Sequence, residues 1–187
     1  MKNTILGIIL FLLSLSSFAN DLDRLKTVTA APDKLTGTFT QSKYLAQLDT
    51  SLQSTGEFNY LRDTQIIWHT LSPIDSTLEL TPNTMLNYQN GIQVNKLDTT
   101  TNPIVAVLSD IFFGVMTAQW QILEEYFDVN AEVVGEHWKA TLIPLNKNIG
   151  SFIHKVTLEG DKYLKQVTLY EPEGNLTHIE FDQLQQK

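Results

Sequence analysis

The chain has 187 residues, no cysteine and a formal charge of −8. Without cysteine it has no disulfide, no thiol nucleophile and no thiolate metal site, so an apolar core must supply its stability. The acidic balance, with Lys and Arg scattered rather than clustered, argues against binding to nucleic acid and to anionic membrane faces.

The first residues read as a secretory leader. Lys2 is followed by an apolar run from Ile5 to Leu15, and Ser17-Phe18-Ala19 places small residues at the −3 and −1 positions of a cleavage site. The run is about half of the roughly 20 residues that span a bilayer. Cleavage is expected near Ala19-Asn20, giving a leader over 1–19 and one domain over 20–187. Removal of Lys2 with the leader leaves a charge of about −9.

Residues 20–35 read as a first helix, with Leu22, Leu25 and Val28 at spacings of three, Asp21 and Asp23 near its start, and Pro32 ending it. The period then changes. Thr38 to Leu45 is a β-rich run. In residues 52–62, Leu52, Phe58, Tyr60 and Arg62 share one face, opposite Glu57, Asn59 and Asp63. Strands follow over Ile66–Thr70, Thr77–Thr81 and Met85–Tyr88, and Asn90-Gly91 signals a hairpin into Ile92, Val94 and Lys96.

Asn102-Pro103 opens a different kind of segment. Ile104, Leu108, Ile111, Phe112 and Val115 recur at helical spacing, with Val105, Val107, Phe113 and Met116 off that stripe. A helix apolar nearly all round is buried or covered on both sides. Gly114 is a point where it kinks or ends, and a short helix is expected over Ala118–Leu123. Strand patterns resume at Phe127–Val133, Trp138–Leu142, Phe152–Glu159, Tyr163–Tyr170 and Leu176–Phe181, with Gln183–Lys187 expected to fray.

The expected architecture is mainly β: about ten strands in one curved antiparallel sheet, an N-terminal helix, and a helical lid over the apolar face. One helix is too small to fill the concavity of ten strands, so an apolar cavity should remain. A two-sheet sandwich would bury the same faces with no cavity. The expected site is therefore a lining: Phe58, Tyr60, Ile66, Trp68, Leu78, Leu80, Leu108, Ile111, Phe112 and Val115. Each of these, taken alone, also fits plain core packing. Arg62 lies on the face of Phe58 and Tyr60, where a charge must be paired or reach solvent at the strand end.

Catalytic signals are poor. His69, His137, His154 and His178 fall on separate strands, none three to five residues from another. There is no nucleophile elbow and no phosphate-cradling loop. The reading is a binding protein with no catalytic residues, no metal and no cofactor.

A resemblance sharpens this. Gly37-Thr38-Phe39-Thr40-Gln41-Ser42-Lys43, then Ser54-Thr55-Gly56-Glu57-Phe58, Tyr60-Leu61-Arg62, Trp68-His69-Thr70 and Pro73 resemble the N-terminal half of the LolA family of lipoprotein carriers. The match covers residues 37–80 and extends more loosely over the apolar helix and the Trp138–Pro144 strand. It implies an incomplete antiparallel β-barrel with a helical lid over an apolar cavity, in a monomeric periplasmic carrier. Its cargo would be an acylated lipoprotein or a lipid-linked molecule. An inner-membrane complex would donate that cargo and an outer-membrane acceptor would receive it. Arg62 occupies the place of the family's basic latch on the lid. Two departures, Asp63 in place of proline and Thr81-Pro82-Asn83 in place of Asp-Gly, resemble divergent members that accompany lipid-linked pigment or glycolipid pathways. The alternative from another class is a non-catalytic β module with a filled core that binds protein or polysaccharide. A hydrolase assembled from dispersed residues is a third.

Overall fold

A computed structural model describes residues 21–98, 103–116 and 118–187, though not the side chains of residues 103, 104 and 108. The expected leader lies outside the described residues. Helix α1 (Asp21–Val28) leads into β1 (Lys34–Leu45), β2 (Thr50–Leu61), β3 (Gln65–Ser72), β4 (Ser76–Leu80), β5 (Thr84–Gln89) and β6 (Ile92–Asp98). Two helices follow, α2 (Pro103–Met116) and α3 (Trp120–Glu124). Then come β7 (Phe127–Val134), β8 (His137–Pro144), α4 (Lys147–Gly150), β9 (Lys155–Gly160), β10 (Leu164–Tyr170) and β11 (Leu176–Gln186).

All eleven strands form one curved antiparallel sheet, in the order β6-β5-β4-β3-β2-β1-β11-β10-β9-β8-β7. The edges β6 and β7 do not pair, so the barrel stays open. This is the expected architecture, with eleven strands rather than ten. The chain passes from one edge to the other through α2 and α3, while β1 and β11 meet at the centre.

Several boundaries moved, each for a local reason. Helix α1 ends at Val28, because Pro32 blocks it and Lys34 already pairs with Leu61. Leu52 is exposed, since β2 runs past its neighbour and pairs with β3 only from Thr55. Helix α2 continues through Gly114 to Met116. The alternation from Phe152 misled: Lys147–Gly150 is helical, capped by the Asn146 side chain accepting from Ile149 N–H, and β9 begins only at Lys155. The expected fraying at Gln183 does not occur, as β11 runs to Gln186, which pairs with Leu35.

The two Gly-x-Phe pairs of β1 and β2 have a shared cause. In the register, Gly37 lies opposite Phe58 and Phe39 opposite Gly56. Each ring lies over a glycine on the neighbouring strand: a Cβ on Gly37 would be 2.8 Å from the Phe58 ring, and one on Gly56 would be 2.8 Å from the Phe39 ring. Phe39 then stacks on Trp68 at 3.8 Å, and Phe58 meets Phe181 edge-on at 5.3 Å. These rings fill the concave side of the central strands.

Towards the β7 edge of the same inner face, α1 and α3 cover β7. Trp120 is fully buried, meets Trp138 edge-on at 5.4 Å, and donates its indole N–H to Thr29 Oγ1 at 3.1 Å. The loop after α1 is tied to α3 by that bond and to the β9–β10 turn by Ala30 N–H donating to the Lys162 carbonyl.

Gly56→Ala is expected to lose about 1–3 kcal/mol of stability, because the new methyl meets both the Phe39 ring and the His69 carbonyl. Urea unfolding checks this; a midpoint unchanged from the parent protein would mean the ring-over-glycine packing is not tight.

Candidate functional site

The concave face is not filled evenly. Beside the aromatic cluster lies an apolar hollow of about 200 Å³, lined by Gln41, Ile66, Trp68, Leu78, Leu80, Phe112, Leu169, Thr177 and Ile179. Its wall comes from five strands, β1, β3, β4, β10 and β11, and its roof from α2. Alternation explains the wall: Ile66 and Trp68 pair with Leu80 and Leu78 across β3 and β4, so all four side chains share the inner face. Thr177 is a polar member whose hydroxyl is already spent, donating to Glu171 at 2.7 Å.

The roof is held by rings. Phe112 meets Trp68 edge-on, with centroids 6.1 Å apart, and Phe113 lies 6.4 Å from Tyr60. Val105, Val107, Ile111, Val115 and Met116 of α2 are buried. Gly114 allows α3 to approach, since a Cβ there would lie 3.3 Å from the Leu123 side chain.

Five of the residues expected from sequence line this hollow: Ile66, Trp68, Leu78, Leu80 and Phe112. Phe58, Tyr60, Ile111 and Val115 belong to the buried core beside it. The side chain of Leu108 lies outside the described residues. Gln41, Leu169, Thr177 and Ile179 were not anticipated. Ile179 lies in the alternating run of the last strand, and that run was the available signal. Nothing local indicates that β10 and β11 stand across the hollow from β4.

Arg62 follows the last residue of β2, in the turn to β3. Its Nε donates to the Pro32 carbonyl at 3.3 Å and lies 3.3 Å from Asp33 Oδ1. It thus ties this turn to the segment between α1 and β1. The guanidinium also faces Tyr60, whose phenol burial pushes up to about 12 although Arg62 pulls it down. On α2, burial raises the Asp110 carboxyl above its ordinary range, against a hydrogen bond from Tyr126 that lowers it.

A larger hollow, about 450 Å³, lies on the opposite face of the sheet. Glu57, Asn59, His69, Gln183 and Lys187 are among its lining. Glu57, Asn59 and His69 alternate with the inward Phe58, Tyr60 and Trp68. Its lining is mostly polar, unlike that of the inner hollow.

The chain matches the family model described as outer membrane lipoprotein carrier protein LolA over residues 31–187. It is similar in structure to a LolA superfamily protein from Nitrosomonas europaea, at TM-score 0.46 and 7% identity, covering 89% of this chain and 92% of that one. It is also similar to a putative outer membrane lipoprotein-sorting protein domain from Vibrio parahaemolyticus, at TM-score 0.42 and 14% identity, covering 88% and 90%. A third likeness is to the Pseudomonas aeruginosa MucA/MucB complex structure, at TM-score 0.46 and 15% identity, covering 88% of this chain and 55% of that one. No curated protein matches the chain by sequence. The family match spans nearly the whole of the described sheet and helices, and the chain therefore belongs to the LolA family.

Proposed function

We propose that this protein is a periplasmic carrier that holds the acyl chains of a lipoprotein or lipid-linked cargo beneath α2. It would take that cargo from an inner-membrane donor and release it to an outer-membrane acceptor. The observation that supports this most is the apolar hollow, roofed by a helix and walled by an open sheet. Burying a methylene is worth roughly 0.8 kcal/mol, so a 16-carbon chain gains about 12 kcal/mol on leaving water. Such a chain does not cross an aqueous space alone at a useful rate. A cavity that is greasy inside and acidic outside removes that barrier without catalysis.

The hollow of about 200 Å³ is smaller than the roughly 300–1,000 Å³ of sites that enclose a whole ligand. The structure is thus read as the closed state, and α2 must lift for a full chain to enter. Helix α2 packs on α3 and meets the sheet through rings rather than through a backbone ladder, contacts that can part and re-form. Arg62 is read as the latch, acting through the α1–β1 segment and through Tyr60, the groups it meets in this state.

Mass spectrometry of organic extracts from protein purified out of its native envelope should show a co-purifying acylated species. Leu78→Trp, which crowds the hollow, should weaken binding of a fluorescent acyl probe at least about tenfold while far-UV circular dichroism is unchanged. Retained affinity in that variant would remove the hollow as the cargo site. Arg62→Leu should change probe dissociation severalfold, with thermal unfolding within a few degrees of the parent. An unaltered dissociation rate would end the latch assignment.

A further inference from the structure

Helix α2 is apolar apart from two adjacent residues, Ser109 and Asp110. Both line one recess of about 180 Å³. Four parts of the chain meet there: the β2–β3 turn at Asp63, the β4–β5 turn at Pro82, the roof helix α2, and the entry into α3 at Gln119. Asp63, Pro82 and Gln119 are exposed and form the rim. Asp110, Phe113 and Ile122 are half-buried, and Ser109 is buried, at 3% exposure. Asp63 and Pro82 also belong to the two stretches in which the sequence departs from the LolA pattern.

The polar groups of this recess are out of balance. Two carboxylates line it, and no Lys, Arg or His stands among its lining. Glu125 adds a further negative charge near Asp110. Burial holds the Asp110 carboxyl above its ordinary range, and the hydrogen bond from the Tyr126 hydroxyl offsets only part of that. A carboxylate has roughly four lone-pair sites, so one such bond leaves acceptor capacity over. The Ser109 hydroxyl is buried without a hydrogen-bond partner. Nearly all buried polar groups in native proteins have one. A helical serine commonly bonds a carbonyl one turn back, and Ser109 does not. The recess thus holds negative charge with no counter-charge, beside an orphaned oxygen. The rest of its lining includes Pro82, Phe113 and Ile122, which are apolar.

We propose that this recess binds a primary ammonium group on a short alkyl stem, with Asp63, Asp110 and the Ser109 hydroxyl oxygen accepting its N–H bonds. An ammonium carries three donors and no acceptor, which matches that set one for one. Its bonds to carboxylates are charge-assisted and belong to the strong class. The stem lies on Pro82, Phe113 and Ile122, as lysine methylenes lie on apolar surface while the charge stays polar. A calcium ion fits less well, since it takes about six to eight oxygen ligands. The recess shares no lining residue with the apolar hollow, so the inference stands apart from the carrier reading. An ammonium bound there joins the β2–β3 turn to the roof helix, because Asp63 belongs to the one and Asp110 to the other. The amine is that of a free alkylamine or of a lysine side chain.

The test titrates n-pentylammonium chloride into isotope-labelled protein at neutral pH and follows the backbone amides of Asp63, Ser109, Asp110 and Gln119 by nuclear magnetic resonance. A saturable shift is expected, with n-pentanol, the uncharged analogue, leaving the same amides in place. Asp63→Asn and Asp110→Asn should each weaken binding roughly tenfold, the loss of one charge-assisted hydrogen bond. Ser109→Ala should weaken it severalfold. Both asparagine variants are compatible with the fold: asparagine tolerates the φ of 53° at Asp63, and at position 110 its side-chain oxygen still accepts the Tyr126 hydroxyl. Thermal unfolding checks that each variant is folded. Nα-acetyl-lysine methylamide separates the sources: binding as tight as pentylammonium assigns the recess to a lysine side chain, and weaker binding assigns it to a free amine. No saturable shift with either amine, an equal shift with pentanol, affinity that survives both asparagine substitutions, or displacement of the amine by equimolar calcium overturns the proposal.

Discussion

An open sheet with one apolar face is an unfinished structure. All but the edge strand β6 present inner side chains to a common concavity, and among the described residues no second sheet closes over it. Four short helices must cover what a partner layer would cover in a sandwich. They do so unevenly. Over β7 and β8 the cover comes from α1, α3 and the Trp120–Trp138 pair. Over β3, β4, β10 and β11 a single helix bridges the span, and space is left beneath it. The site follows from a deficit of covering helix rather than from any special arrangement of functional groups.

The centre of the sheet is rigid for the opposite reason. Phe39 and Phe58 each occupy the room that a glycine on the facing strand leaves free, and Trp68 stacks against Phe39. Trp68 belongs to both regions: one side is packed into this cluster, and the other forms part of the hollow's wall and meets Phe112 of the roof. The hollow thus has a wall held by strand ladders and ring packing, and a roof that meets it through side chains. The proposed carrier role uses that asymmetry, since a wall that moved with its lid would lose the shape that holds the chain.

How much of this was legible in the sequence depended on how far each feature reaches along the chain. Period-two alternation exposed the strands, because it is a local consequence of half burial. The all-round apolarity of residues 103–116 exposed a covered helix for the same reason. The β3–β4 wall was readable because Ile66, Trp68, Leu78 and Leu80 lie in adjacent strands of one hairpin. Leu169 and Ile179 were not, since their place on the hollow depends on β11 returning beside β1, more than 130 residues later in the chain. Arg62 was readable as a charge on an apolar face, but its partner Pro32 carbonyl depends on where α1 stops. The helix at Lys147–Gly150 was hidden because Phe152, His154 and Val156 imitate a strand, while the Asn146 cap that sets the actual start spans only four residues.

The hollow opens to the outside, so it differs from a sealed void, yet it leaves the inner face unevenly packed. Ile66, Leu80 and Ile179 of its lining are buried, while Trp68, Leu78, Leu169 and Phe112 are only half-buried. Larger side chains at Leu78 or Leu80 would fill that space, and a filled-core binding module would have reason to carry them. A protein that holds hydrocarbon has reason to keep the space. The proposed carrier reading therefore rests on packing that the sheet and its few helices leave incomplete, at the one stretch of the inner face where the cover is a single helix.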